Sequence, residues 1–449
     1  MQASNRTGRI RRTARAAARV LAVAAAVAAG AAPAQAAPAW GRTVQADLGA
    51  DGARADRQST GLGISGNGRY ALFGSSATNL LPGAAAPAFG LYVRDLRTGR
   101  TELVSRADDG TPSAAVDETA GISGDGRYIA FSAEADGVHN VYVRDRVRGR
   151  TTRVTTGTAS AEGRDNGAYH PAISADGRRI VFMSARADVV PGAPAAPDTR
   201  NIYVTDRLTG ATRLVTVGAD GQPADADSDR PTISADGRTV GFGSRASNLL
   251  PAAAGGTTAG LLRPRYTTLY ATDLHRGTTV VAALAPDGTP GPADPVLRFS
   301  PDGRYAVYAL AAPPLPHGKA RTELFVRDLR TDRVRSIRTS ANPDAICWAD
   351  ASAAVTADDR WIYFSGGCSD TVIPASRARY DLHRQDLATG RTELLTTAAD
   401  GSPQDGAAVS PFVTADGRTV LFSDSSTNLL PGDPGPYDWH VYVRSLTRG

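Results

Sequence analysis

Lysine is all but missing: Lys319 is the only one in 449 residues, and arginine fills every other basic position. Cysteine occurs twice, at Cys347 and Cys368, so at most one internal bridge is available. Beyond residue 36 no run of 18 apolar residues occurs, which excludes a membrane-spanning helix there. Acidic residues are absent from the first 36 positions, where Arg6, Arg9, Arg11, Arg12, Arg15 and Arg19 precede an apolar run over 20–32 and the small-x-small sequence Ala34-Gln35-Ala36. That order is expected of a secretory signal peptide cut after Ala36, with ordinary secretion favoured over twin-arginine export at Arg11-Arg12. No Cys stands at the cut, so no lipid anchor is expected. The six leader arginines account for more than the whole formal charge of +5, leaving the mature chain near −1. A nucleic-acid partner is therefore not indicated.

What the chain has in abundance is one repeated unit. A turn of the type Ser-Ala-Asp-Gly-Arg recurs at Gly66-Asn67-Gly68-Arg69, Gly124-Asp125-Gly126-Arg127, Ala175-Asp176-Gly177-Arg178, Ala235-Asp236-Gly237-Arg238, Pro301-Asp302-Gly303-Arg304, Ala357-Asp358-Asp359-Arg360 and Ala415-Asp416-Gly417-Arg418. Each is followed by an element such as Leu91-Tyr92-Val93-Arg94-Asp95, then a Thr-Gly turn and a further strand. Short β-branched and aromatic runs between Gly and Asp turns predict four antiparallel strands per unit. Asp-Gly is expected to form a two-residue hairpin loop with φ > 0 at both positions. A unit of this size cannot bury its own apolar face and must stack on copies of itself.

The fold expected is all-β: a seven-bladed β-propeller of four-stranded antiparallel blades over residues 37–449. The seventh unit lacks its fourth strand, and Gly41-Arg42-Thr43-Val44-Gln45-Ala46 matches Gly99-Arg100-Thr101-Glu102-Leu103-Val104. The N-terminal strand is therefore expected to complete the last blade and close the ring. The Asp-Gly turns and elements such as Val326-Arg327-Asp328-Leu329-Arg330-Thr331 resemble the TolB-like propeller repeats, also called WD40-like or PD40 repeats, over essentially all of residues 40–449. The resemblance implies the propeller fold and, from TolB itself, a periplasmic setting.

Alternating strand direction puts the Asp-Gly and Thr-Gly turns on one face and the long, variable connections on the other, where binding is expected. Arg69 with Asp95, Arg127 with Asp145 and Arg304 with Asp328 are expected to be structural cross-strand pairs. The segments Asn79-Leu80-Leu81-Pro82, Asn248-Leu249-Leu250-Pro251 and Asn428-Leu429-Leu430-Pro431 are expected to plug their loops onto the blades. Candidates for binding a ligand or partner on the long-loop face are Asp225, Asp227, Asp229, Tyr169, His170, Trp348, Tyr437, Trp439 and His440. The alternating carboxylates Asp225, Asp227 and Asp229 suit Ca²⁺ in ligand type, although no EF-hand pattern surrounds them. Cys347 and Cys368 are expected to lie in loops of one blade, where a bridge closing about 20 residues would contribute ~3 kcal/mol in an oxidising compartment.

Catalytic motifs are incomplete. Gly63-Ile64-Ser65-Gly66-Asn67 lacks the final Gly of a nucleophile elbow, and no His-Glu-x-x-His occurs. The expectation is a secreted, monomeric, non-catalytic scaffold that binds a protein or cell-envelope glycan without a cofactor. The alternatives are a polysaccharide lyase using His170, His440 and nearby carboxylates, and a Ca²⁺-dependent adhesion protein.

Overall fold

The structure is a computed structural model. It describes residues 41–446 apart from 84–86, 156–166, 187, 191–198, 252–266, 313–320, 341–345, 370–379, 399 and 432–437. The leader expected over 1–36 and the candidate Tyr437 lie outside the described residues.

Seven four-stranded antiparallel sheets follow one another, and in six of them the strands lie in chain order. Blades 1 to 6 occupy residues 59–103, 120–153, 168–214, 228–281, 293–337 and 346–394. Blade 7 takes three strands from 408–445, and its fourth is Thr43–Gln45. That strand pairs antiparallel with His440–Ser445 in the register Thr43↔Arg444, Val44↔Val443, Gln45↔Tyr442. The expected closure is therefore observed. Beside it, the fully buried Asp47 carboxylate accepts bonds from Gln45 Nε2 and the Val441 amide and lies 2.8 Å from His440 Nδ1.

The core consists of seven apolar wedges, each shared by two adjacent blades. This is why one unit could not fold alone. Within each blade a residue of the second strand stacks on its direct partner in the third. Phe73 lies on Tyr92 with centroids 5.7 Å apart, and Phe131–Tyr142, Phe182–Tyr203, Phe242–Tyr270, Tyr308–Phe325 and Phe422–Tyr442 repeat the arrangement. In blade 6 an imidazole takes the tyrosine place, as Phe364 on His383.

The Asp-Gly turns differ from the expectation. Positive φ occurs at the glycine alone, for example 74° at Gly126, and not at the preceding Asp. The Ser123 hydroxyl donates to Asp125 Oδ1 and accepts from the Tyr128 amide, while the Gly126 amide donates to the Ser123 carbonyl. The Asp side chain thus holds its own backbone in the ordinary right-handed region, and the loop is four residues with one left-handed position. All seven turns repeat this Ser/Thr hydroxyl bond two residues on. In blade 6 Asp359 holds the glycine place at φ 57°.

Five blades carry the expected pair between a turn arginine and the aspartate ending strand three: Arg69–Asp95, Arg127–Asp145, Arg178–Asp206, Arg304–Asp328 and Arg360–Asp386. The same aspartates accept the amides of the next turn, as Asp145 does from Val147 and Arg148.

Cys347 and Cys368 are joined as a disulfide. They face each other as cross-strand partners within Ile346–Val355 and Trp361–Ser369, not in loops. Blade 6 extends its first hairpin to ten and nine residues, and the segments expected to be loops are paired strand.

Candidate functional site

The long-loop face is where the innermost strands begin. Four of these strands, Ala168–Ile173, Ser228–Ile233, Ala293–Phe299 and Ala408–Val413, contain a bulge next to an x-Pro step, and Ser410 in the last sits at φ 54°. His170 and Arg230 each precede a proline and sit at φ 52° and 47°. A non-glycine residue held in that region costs about 1–3 kcal/mol, and bulges re-aim the side chains they carry.

The consequence is a mixed-charge group contributed by blades 2, 3 and 4. His170 Nε2 lies 4.0 Å from Asp117 Oδ2, and His170 also feels the charges of Asp229, Arg230 and Arg200. Burial pushes its pKa below the ordinary histidine value, with Asp117 opposing, so the ring is neutral at pH 7. Burial likewise raises the Asp229 carboxyl, with Arg230 and His170 opposing. His170 Nδ1, Asp229 Oδ1 and Thr267 Oγ1 are buried polar atoms with no hydrogen-bond partner among the described residues. A Cβ built on Gly243 would meet Asp229 Oδ1 at 2.8 Å and Thr267 Oγ1 at 3.2 Å, so both atoms line the space beside that glycine. Orphaned buried polar atoms are uncommon, and their concentration here marks a place where something polar fits.

The remaining candidates separate. Asp225 accepts the Ser247 amide at 2.7 Å and the Ser247 hydroxyl, and its own amide donates to Asn248. Asp56 with Thr78 and Asn79, and Asp405 with Thr427 and Asn428, repeat this pin, so the Asn of each Asn-Leu-Leu-Pro segment ties its loop down. The first leucine of each segment is buried, as expected of a plug. Asp227 pairs with Arg200 at 2.9 Å. Against the upward push of burial, bonds from the Arg200 amide and guanidinium hold its carboxyl low. Of the three alternating aspartates, Asp225 and Asp227 are thus committed to different partners, and Asp229 stands apart beside His170. Among the described residues no group of three or more His, Cys, Asp or Glu side chains could hold a metal ion.

Tyr169 packs on His139 with centroids 4.9 Å apart. Trp348, opposite Gly367 in blade 6, and Trp439, before the third strand of blade 7, are half-buried and stand on other blades than His170. His440 is buried against Asp47 at the ring closure and does not meet His170. Its neighbour Asp424 went unnoticed in the sequence. It takes the place held by Ser75, Ser184 and Ser244 in other blades, is fully buried and has an Oδ2 without a partner among the described residues. Burial pushes its pKa up to about 7, with the Ser426 bonds opposing. The signal available was one acid where the repeat places serine.

The chain is a closed seven-bladed β-propeller. No protein-family model matches it, and no curated protein does. Solved structures do. It is similar to an oligogalacturonate lyase in complex with manganese at 14% identity, covering 91% of this chain and 99% of that one with a TM-score of 0.54. The β-propeller domain of the Trilobed protease from Pyrococcus furiosus is similar at 12% identity, 88% and 97% coverage and TM-score 0.51. That domain is described as having an open velcro topology, whereas Thr43–Gln45 closes the present ring. TolB from Acinetobacter baumannii is also similar, at 16% identity, 84% and 81% coverage and TM-score 0.38. At these identities the likeness is one of fold.

Proposed function

We propose that the protein is exported and acts as a monomeric, non-catalytic scaffold. It binds an anionic group of a cell-envelope glycan or protein at the axial end of its long-loop face. The observation that carries this reading is the group around His170. Arg230 is exposed and makes no hydrogen bond among the described residues, while two buried polar atoms beside it, on His170 and Asp229, have no partner. An exposed cation next to orphaned buried donors and acceptors is arranged for an outside group. The half-buried Trp348 and Trp439 offer stacking surface on blades 6 and 7.

The test is binding of the mature chain to polygalacturonate and to native cell-envelope preparations, compared with Arg230→Gln. Loss of one charge-assisted bond, about 1.5–3 kcal/mol, corresponds to at least a tenfold weaker interaction. Equal binding by the two proteins removes the reading. A calcium and a chelator arm separates Ca²⁺-dependent adhesion, which requires binding or melting to change between them.

A second reading, a polyuronate lyase, is favoured by one observation: a neutral imidazole with a free ring nitrogen beside arginines can remove a proton next to a carboxylate. Appearance of an unsaturated uronate, followed by ultraviolet absorbance and abolished in His170→Ala, supports that alternative. Its absence with polygalacturonate leaves the binding reading in place.

A further inference from the structure

The opposite face, where the Asp-Gly and Thr-Gly turns lie, carries a pocket of about 640 Å³ between blades 4 and 5. Its origin is visible in the neighbouring junctions, which are plugged from within. Between blades 1 and 2, Tyr70 lies against Gly126, and Arg146 covers the ring at 4.3 Å while donating to the Gly126 carbonyl at 2.5 Å. Between blades 2 and 3, Arg207 covers Tyr128 at 3.9 Å and donates to the Gly177 carbonyl at 2.7 Å. Between blades 3 and 4, Arg179 replaces the ring and donates to the Gly237 carbonyl at 2.6 Å, and Arg213 reaches the Leu274 carbonyl at 2.8 Å.

At the junction of blades 4 and 5 each of these parts is small or apolar. Thr239 stands in the place of Tyr70 and Tyr128, Val280 in that of Arg213, and Leu329 in that of Arg146 and Arg207. All three line the pocket, and Val280 is 43% exposed. The Gly303 carbonyl accordingly has no guanidinium among the described residues. Blade 4 also breaks the second rule of the repeat. Asp273 ends its third strand as Asp95, Asp145 and Asp206 end theirs, but Arg238 does not reach it and lies 3.8 Å from Asp236 instead. Among the described residues Asp273 Oδ2 has only Arg276 at 3.8 Å, while Oδ1 accepts the His275 and Arg276 amides. The Gly303 carbonyl, whose counterparts in blades 2 to 4 hold a guanidinium, and Asp273, whose counterparts in blades 1 to 3 hold one at 2.7 Å, therefore open into a single pocket that has Thr239, Val280 and Leu329 on its apolar side and Arg238 and Arg304 also in its lining.

The geometry points to this pocket as a binding site for the arginine side chain of a partner polypeptide. The guanidinium donates to Asp273 and the Gly303 carbonyl, and its methylene stem lies along Thr239, Val280 and Leu329. Planar, forked donors suit two acceptors in fixed positions, and the stem covers the apolar wall. The rim adds selectivity. Arg276 and Arg330 stand at its edge with side chains 78% and 66% exposed, so a polybasic segment is repelled and an arginine flanked by acidic residues is favoured.

The probe is a short peptide with one arginine between two glutamates, titrated calorimetrically into the mature protein. It is compared with the same peptide carrying citrulline, which keeps the shape and removes the charge. Binding at least tenfold tighter for arginine than citrulline is expected. Thr239→Tyr with Leu329→Arg, which restores the internal plug of blades 1 and 2, should lower affinity at least tenfold and leave the melting temperature unchanged or raised. Asp273→Asn keeps an acceptor for the turn amides, removes the charge, and should weaken binding by a similar factor. If the double variant does not fold, Asp273→Asn decides alone. Equal affinity for arginine and citrulline, or binding unchanged by Asp273→Asn, overturns the inference. Preference for a glutamate-only peptide does so as well, assigning the rim arginines to an anion. None of these outcomes bears on Arg230, which lies on the other face.

Discussion

Replacing Asp424 by the serine that the repeat itself uses should make the protein less sensitive to rising pH. In the folded chain the carboxyl has no exposed surface, one oxygen accepts the Ser426 amide at 2.6 Å, and the other has no partner among the described residues. Its pKa is about 7, against an ordinary 3.8. Because the folded value lies above the unfolded one, the native state holds the extra proton between pH 4 and 7. Stability from this group is therefore full below about pH 4 and is lost as pH rises to 7. A shift of about three units is worth ~4 kcal/mol, at about 1.4 kcal/mol per unit. The flanking charges are Asp381 and Asp405, both of which raise the value further. Ser244 shows that a hydroxyl keeps the one essential contact, accepting the amide two residues on at 3.1 Å. The assay is denaturant unfolding of both proteins at several pH values from 4.5 to 8. The difference curve, wild type minus Asp424→Ser, should fall by several kcal/mol over that range. His383 titrates with the opposite sign: burial holds its pKa near 4, so its contribution grows as pH rises toward 6.5. It is present in both proteins and cancels. Parallel stability curves would refute the argument.

Two further outcomes follow from the ring. Ala46→Pro removes the amide that donates to the Val441 carbonyl at 2.7 Å in the closing strand, and a loss of about 1–3 kcal/mol is expected, read as a lower unfolding midpoint with early proteolysis near residue 440. Intact midpoints and protease resistance would show that the closure contributes little. Replacing Cys347 and Cys368 together by serine opens a link across 21 residues and should cost about 3 kcal/mol under oxidising conditions, with no difference from wild type after reduction.

The architecture was legible because its causes are local. Seven turns of the type Ser/Thr-x-Asp/Asn-Gly/Asp-Arg are set by bonds spanning two to five residues, and strand alternation needs only near neighbours. Even the closing strand declared itself, since Arg42-Thr43-Val44 repeats the text of Arg100-Thr101-Glu102 and the ring had one strand missing. Two details escaped for different reasons, the turn conformation because a side-chain bond and not backbone propensity sets it, and the disulfide's position because it depends on pairing across a longer hairpin. Side-chain bonding by Asp125 selects the turn, and extended pairing over 346–369 turns expected loops into strand.

Of the candidate binding residues, chain position placed His170 and Asp229 on the long-loop face but could not bring them together, because they are some 60 residues apart and meet through bulges in adjacent blades. Asp225 and His440 resembled exposed ligands in the sequence, yet three-dimensional contacts commit one to Ser247 and the other to Asp47. The open junction between blades 4 and 5 is the clearest case. Thr239, Val280 and Leu329 are each ordinary strand or turn residues when taken singly. Only packing shows that all three face one gap, and that the acceptors filled by arginine at neighbouring junctions are left open there. Local hydrogen bonding and periodicity thus specify the wheel from sequence alone. Burial and cross-blade contact, which no short stretch of chain contains, decide what its two faces can hold.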